Sequence, residues 1–135
     1  RVAFPLAADF AQAGAARLRE VGGLTQARAL TLHALSVEVA SGRLRLAPLE
    51  PLEPTLERML AIKGIGDWTA QYVAMRALSW PNAFPAGDLI LRRHLGVETA
   101  AQASAQAAQW APWRAYATVH LWRHHDRLKH EASHD

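Results

Sequence analysis

At 135 residues, half of them apolar and a fifth charged, the chain can close one hydrophobic core and leaves no room for a separate regulatory domain. Fifteen Lys and Arg against twelve Asp and Glu leave a formal charge of +3, a weak bias toward anionic partners and far short of a polycation. The lack of Cys excludes a disulfide framework, a thiolate nucleophile and a cysteine-held iron–sulfur cluster.

Ala, Leu, Arg, Gln and Glu are plentiful and no run sustains apolar–polar alternation, so an all-α chain without a sheet is expected. The opening on Arg1 and FPLAADF reads as a segment of a longer protein. Residues 6–13 and 14–21 read as two short helices, punctuated at Gly14 and ended by Gly22 and Gly23. Thr25 then caps a long helix whose apolar positions Ala29, Leu32, Leu35 and Val39 keep helical spacing up to Gly42. This makes 1–47 one lobe. Pro48, Pro51 and Pro54 make 48–54 an extended connector, because each ring fixes its own torsion and biases its predecessor away from helix.

A helix from Thr55 to Ala61, a tight KGIG turn and a helix from Asp67 to Leu78 form a short helix pair over 55–78. SWPNAFPAG is loop, after which Asp88 caps a helix running to His94 or Leu95 and stopped by Gly96. Thr99 opens an alanine-rich helix to about Trp110, Pro112 interrupts, and Trp113 to about Arg127 is the last helix. The polar tail 128–135 is expected to fray. No apolar run approaches the roughly 18 residues of a membrane span, and the N-terminus lacks a signal-peptide pattern. A cytoplasmic protein without membrane association is the expectation.

Two places carry chemistry. Gly64 and Gly66 flank Ile65 between two helices, where glycine permits a sharp turn and a close backbone approach. The amides opening the next helix suit a phosphate oxygen, although a GxG between helices is also an ordinary helix–helix turn. Asp88 reads as the cap of the following helix, and because a capping position fixes the carboxylate rigidly it can at the same time be a group that stabilises developing positive charge or activates water. Asp67 reads better as a helix cap. Trp68 and Tyr72 lie four apart and share one helix face. Five Trp are many for this length; Trp110 and Trp113 are assigned to core packing and His120 to a buried, satisfied imidazole. Arg92, Arg93 and Arg114 are candidate phosphate contacts, and the tail histidines show no metal-ligand spacing.

The stretch LAIKGIGDWTAQYVAMRA resembles the helix-hairpin-helix of the HhH-GPD base-excision DNA glycosylases, and its GIGDWTAQYVAMRA part is similar to the bacterial 3-methyladenine glycosylases of the AlkA type. WAPWRAYATVHLW resembles that family's last helices. The resemblance implies an all-α bundle, here the C-terminal part of a two-lobed helical domain. It also implies monofunctional removal of alkylated purines from double-stranded DNA by base flipping, with Asp88 as the catalytic carboxylate. Trp68 and Tyr72 would form one wall of the base cleft and Trp122 the other. Lys63, Gly64, Ile65, Gly66 and Thr69 would bind the DNA backbone, and the carbonyls of Leu60, Ile62 and Gly64 would hold a structural Na+ or K+, with no other cofactor. The lysine of strand-nicking relatives is replaced by Trp68, Lys63 stands where many relatives have Pro, and Gly87-Asp88 replaces a frequent pair of acids. A monomer is expected. The alternative is a non-catalytic helix-hairpin-helix module tethering a larger repair protein to DNA.

Overall fold

The computed structural model describes residues 3–133. Among these the secondary structure is entirely helical, and the chain divides into two compact units, one ending at Gly66 and one beginning at Asp67.

In the first unit, α1 (Ala7–Gly22) is a single element broken at Gly14, whose φ of 78° and ψ of 163° leave the helical region. The two short helices expected from the sequence are thus its two halves. The Asp9 carboxylate accepts the Leu6 amide at 2.7 Å and closes the first turn. α2 (Gln26–Ala40) starts where Thr25 Oγ1 accepts the Arg28 amide at 3.3 Å. It packs on α1, burying Leu18 and Ala29, and brings His33 Nε2 to 3.1 Å from the Ala11 carbonyl. Arg43 grips the Glu38 carboxylate through Nε and Nη2 just beyond the helix, at 2.9 to 3.2 Å, and lowers its pKa. Both groups face solvent, where such pairs contribute little.

α3 (Leu52–Leu60) begins three residues earlier than the prolines suggest. Pro54 falls in the first turn, where helix amides have no acceptor, so its missing N–H costs nothing there. Thr55 instead donates its hydroxyl to the Pro51 carbonyl at 2.6 Å. The connector is correspondingly shorter than 48–54.

The second unit holds α4 (Asp67–Arg76), α5 (Leu89–Leu95), α6 (Ala100–Ala107), a single 3-10 turn at Ala108–Trp110, and α7 (Arg114–Ala132). Phe84, Ala86, Leu91, Ala103 and Ala107 form its core, with Leu95, Val97, Trp110, Leu121 and Trp122 packed around them. The alanines let α6 approach closely, and fully burying Leu91 contributes about 1.5–3 kcal/mol to holding α5 in place. Thr99 and Gln102 cap α6 reciprocally, at 3.1 Å from the Gln102 amide to Thr99 Oγ1 and 3.0 Å in return.

Several expectations are corrected here. α7 continues to Ala132, so the tail expected to fray from 128 is helical up to that point, and residues 134–135 lie outside the described part. Trp113 is 58% exposed rather than core, and His120 is exposed rather than buried. Arg92 also donates to the Glu98 carbonyl beyond α5, and Arg114 Nε to Asn82 Oδ1 at 2.9 Å, bonds that brace the fold and leave each guanidinium further N–H groups for a phosphate.

His94 near the end of α5 sits with Nε2 3.3 Å from His125 Nδ1 of α7, and its ring also meets His124. Burial and the neighbouring charges of His125, His124 and Arg93 hold its pKa below the ordinary histidine value. Because the unfolded chain then takes up this proton first, the stabilising contribution is full above about pH 6.5 and is lost as pH falls through the lowered folded value. Thermal melts between pH 7.5 and 5 should therefore show a falling midpoint, and His94→Gln should flatten part of that slope. An unchanged slope would remove His94 from the acid sensitivity of the fold.

Candidate functional site

On α4 the positions 68, 72 and 76 recur every fourth residue and share a face. Trp68 and Tyr72 stack with centroids 5.2 Å apart and planes 9° from parallel, while the Arg76 guanidinium lies 5.7 Å from the centre of the Tyr72 ring. Such contacts are each worth about 0.5–1.5 kcal/mol. Trp122 of α7 meets the other side of this cluster, 6.1 Å from Tyr72 and tilted by 42°.

The segment leading to Asp88 is a pinned loop. Ala83, Phe84, Pro85 and Ala86 are buried, and Gln71 of α4 accepts the Phe84 amide at 3.1 Å. The Ala115 amide donates to the Pro81 carbonyl at 2.8 Å, and the Asp88 amide to the Pro85 carbonyl at 2.9 Å. Gly87 is thus held between fixed points.

Asp88 caps α5, its Oδ2 accepting the Leu91 amide at 3.0 Å. The same carboxylate accepts two indole N–H groups, Trp68 Nε1 on Oδ1 at 2.9 Å and Trp122 Nε1 on Oδ2 at 3.2 Å. The cap and the held carboxylate are therefore one group, and the two readings of Asp88 do not compete. Trp68, Tyr72, Arg76, Asp88, Ile90, Trp122 and Asp126 line a cleft of about 330 Å³, at the small end of ligand pockets.

The structure thus brings together Trp68, Tyr72, Trp122 and Asp88, as the resemblance implies, but in another arrangement. Both ring–ring separations are single contact distances, so no base fits between Trp68 and Tyr72 or between Tyr72 and Trp122. The three rings form one continuous surface rather than two facing walls. Arg76, Ile90 and Asp126 were missed. Helical spacing signals two of them, since Arg76 follows Tyr72, and Asp126 follows Trp122, by four residues.

The residues of the expected DNA-binding turn fall on both sides of the boundary between the two units. Lys63, Gly64, Ile65 and Gly66 close the first unit, where Ile65 is buried and donates its amide to the Ile62 carbonyl at 3.1 Å. Thr31 of α2 donates to the Lys63 carbonyl at 2.8 Å, and Gly64 takes a φ of 97°. Gly66 lacks a positive φ and faces open space, so the turn itself needs only Gly64 to be glycine. Thr69 is an exposed residue of α4. No group of three or more potential metal-ligating side chains occurs among the described residues, and none of their helices is long and apolar enough to cross a membrane.

No protein-family model matches the chain. Individual relatives do. It is 42% identical over 101 residues, 72% of its length, to a probable bifunctional transcriptional activator/DNA repair enzyme AlkA of Mycobacterium tuberculosis, of which it covers 20%. It is 30% identical over 121 residues, 90% of its length, to DNA-3-methyladenine glycosylase 2 of Escherichia coli, covering 43% of that protein. A putative DNA-3-methyladenine glycosylase of Bacillus subtilis is 33% identical over 63% of the chain, which covers 33% of it. The chain thus spans between a fifth and less than half of the length of these relatives.

Proposed function

The chain belongs to the AlkA-type DNA-3-methyladenine glycosylases, and we propose that it serves monofunctional hydrolysis of the N-glycosidic bond of alkylated purines in double-stranded DNA, with Asp88 as the catalytic carboxylate. The observation that carries this reading is the Asp88 carboxylate, which accepts two indole N–H groups at the edge of a cleft of about 330 Å³ lined by three aromatic rings.

Cleavage of the glycosidic bond builds positive charge on the sugar, and a carboxylate held in place beside it stabilises that charge. Water adds to the sugar carbon, passing its proton to Asp88 or to solvent, and the base leaves with the bonding electron pair. A purine alkylated at N3 or N7 carries a positive charge, so it departs neutral and needs no proton donor. The cleft suits such a base: two carboxylates, Asp88 and Asp126, stand against one Arg76 beside electron-rich rings. No lysine lines it, which leaves no amine for the Schiff base of a strand-nicking enzyme.

DNA backbone binding is assigned to Lys63, Gly64, Ile65, Gly66 and Thr69, with Na+ or K+ held by the Leu60, Ile62 and Gly64 carbonyls. Neutral carbonyl oxygens suit a monovalent cation, and the Ile62 oxygen retains a second lone pair beside its bond to the Ile65 amide. The bound cation would add local positive charge for a phosphate. A monomer acting on cytoplasmic DNA completes the reading. Lys63→Ala should lower DNA affinity uniformly across sequences and flatten the plot of log affinity against log salt by about 0.9.

The test is incubation of the full-length protein with alkylated duplex DNA, scoring free methylpurine, abasic sites and strand breaks. Methylpurine and abasic sites in equal amount, without breaks, are expected. Salt-sensitive binding with no released base would favour a tethering module instead.

A further inference from the structure

We propose that Trp68 and Trp122 are positioning residues for the Asp88 carboxylate, acting through their indole N–H groups as well as through the ring faces they present. The inference rests on the assignment of Asp88 made above. An aspartate carboxylate turns easily about its last torsion, whose preference is broad. The cap bond from the Leu91 amide to Oδ2 restrains one oxygen only. Trp122 Nε1 at 3.2 Å shares that oxygen, and Trp68 Nε1 at 2.9 Å holds the other, so the carboxylate plane is set from two different helices.

Ring contacts restrain both indoles. Trp68 lies flat against Tyr72 at 5.2 Å, and Trp122 packs on the core made by Phe84 and Leu91. An indole N–H can only donate, and both donors find their acceptor on the same group. Pure stacking of a base would be indifferent to where those N–H bonds point. Phenylalanine keeps a ring face and removes the donor, which separates the two roles.

In the full-length protein, Trp68→Phe and Trp122→Phe should each lower the single-turnover rate of base release on the order of tenfold, and the double variant about a hundredfold, with DNA affinity nearly unchanged. Trp113→Phe, at a 58% exposed ring that does not line the cleft, should match the parent protein. Independently of activity, Asp88→Asn should move the Trp68 and Trp122 indole N–H resonances and leave that of Trp113 in place. Phenylalanine variants that weaken DNA binding but keep the release rate would overturn the proposal, as would indole resonances indifferent to Asp88→Asn. If the parent protein releases no base while both indole signals follow Asp88→Asn, the positioning role stands and the proposed reaction falls.

Discussion

Asp88→Asn should reduce release of methylated purines by at least about a hundredfold while leaving binding to undamaged DNA intact. The asparagine is nearly isosteric and caps a helix as well as aspartate does, so α5 keeps its start at the Leu91 amide. What disappears is the full negative charge facing the sugar. A second effect comes from the surroundings of the side chain. The carboxylate offers an acceptor oxygen to each indole, whereas the amide has one oxygen and one NH2 group. Whichever way it turns, one face sets a donor against a donor. Trp68 is 40% exposed and its N–H can turn to water, so the loss is that of an ordinary hydrogen bond, about 1 kcal/mol, and the variant should melt a few degrees lower yet remain folded. Circular dichroism with a release assay separates the two. Wild-type release at equal DNA affinity would remove Asp88 from the chemistry, and loss of release together with the fold would make the kinetic result uninformative about charge.

Gly64→Ala should be the most damaging single substitution in the turn, for two separable reasons. A φ of 97° is a conformation that side chains rarely adopt, costing about 1–3 kcal/mol. An added Cβ would also lie 2.1 Å from Thr31 Oγ1 and 3.2 Å from Thr31 Cβ and Cγ2. Thr31 cannot simply turn away, because its hydroxyl bonds the Lys63 carbonyl at 2.8 Å and lies 3.1 Å from that of Ala27. Forced repacking adds about another 1–3 kcal/mol, and together the two should lower the melting midpoint by roughly ten degrees or more. Thr31→Ala in the same chain removes the 2.1 Å contact and leaves its own Cβ 3.2 Å away, so it should recover most of the steric share but not the backbone share, and a double-mutant cycle reads the difference. Gly66→Ala, with open space at its Cβ, should leave the melting midpoint unchanged and weaken only DNA binding. Equal melting of Gly64→Ala and the parent would show that α2 does not buttress the turn.

Much of this molecule is readable locally. Thr25, Asp88 and Thr99 cap helices because their short side chains reach amides three residues on, and Gly96 ends α5 with a φ of 67°. Where the reading failed, a neighbour distant in sequence intervened, or the local rule allowed two outcomes. Pro54 is compatible with a connector and with a first helical turn, and the Thr55 hydroxyl on the Pro51 carbonyl favours the second. Trp113 looks like core from composition, but it stands beside Pro112 at the start of α7, where its ring meets the still more exposed Tyr116 edge-on.

From the sequence alone came the all-helical class, the capped helix starts with Asp88 among them, the glycine turn and the spacing of Trp68 and Tyr72 on one face. Each depends on backbone geometry and on side chains within a turn or two. Tertiary structure alone decided that Trp68 and Trp122, 20 and 34 positions from Asp88, both donate to its carboxylate. It also decided that Tyr72 fills the space between their rings and that the loop before Asp88 is buried and pinned by Gln71. Those outcomes follow from how α4, α5 and α7 meet around one small core, and helical periodicity does not encode the distance or tilt between helices.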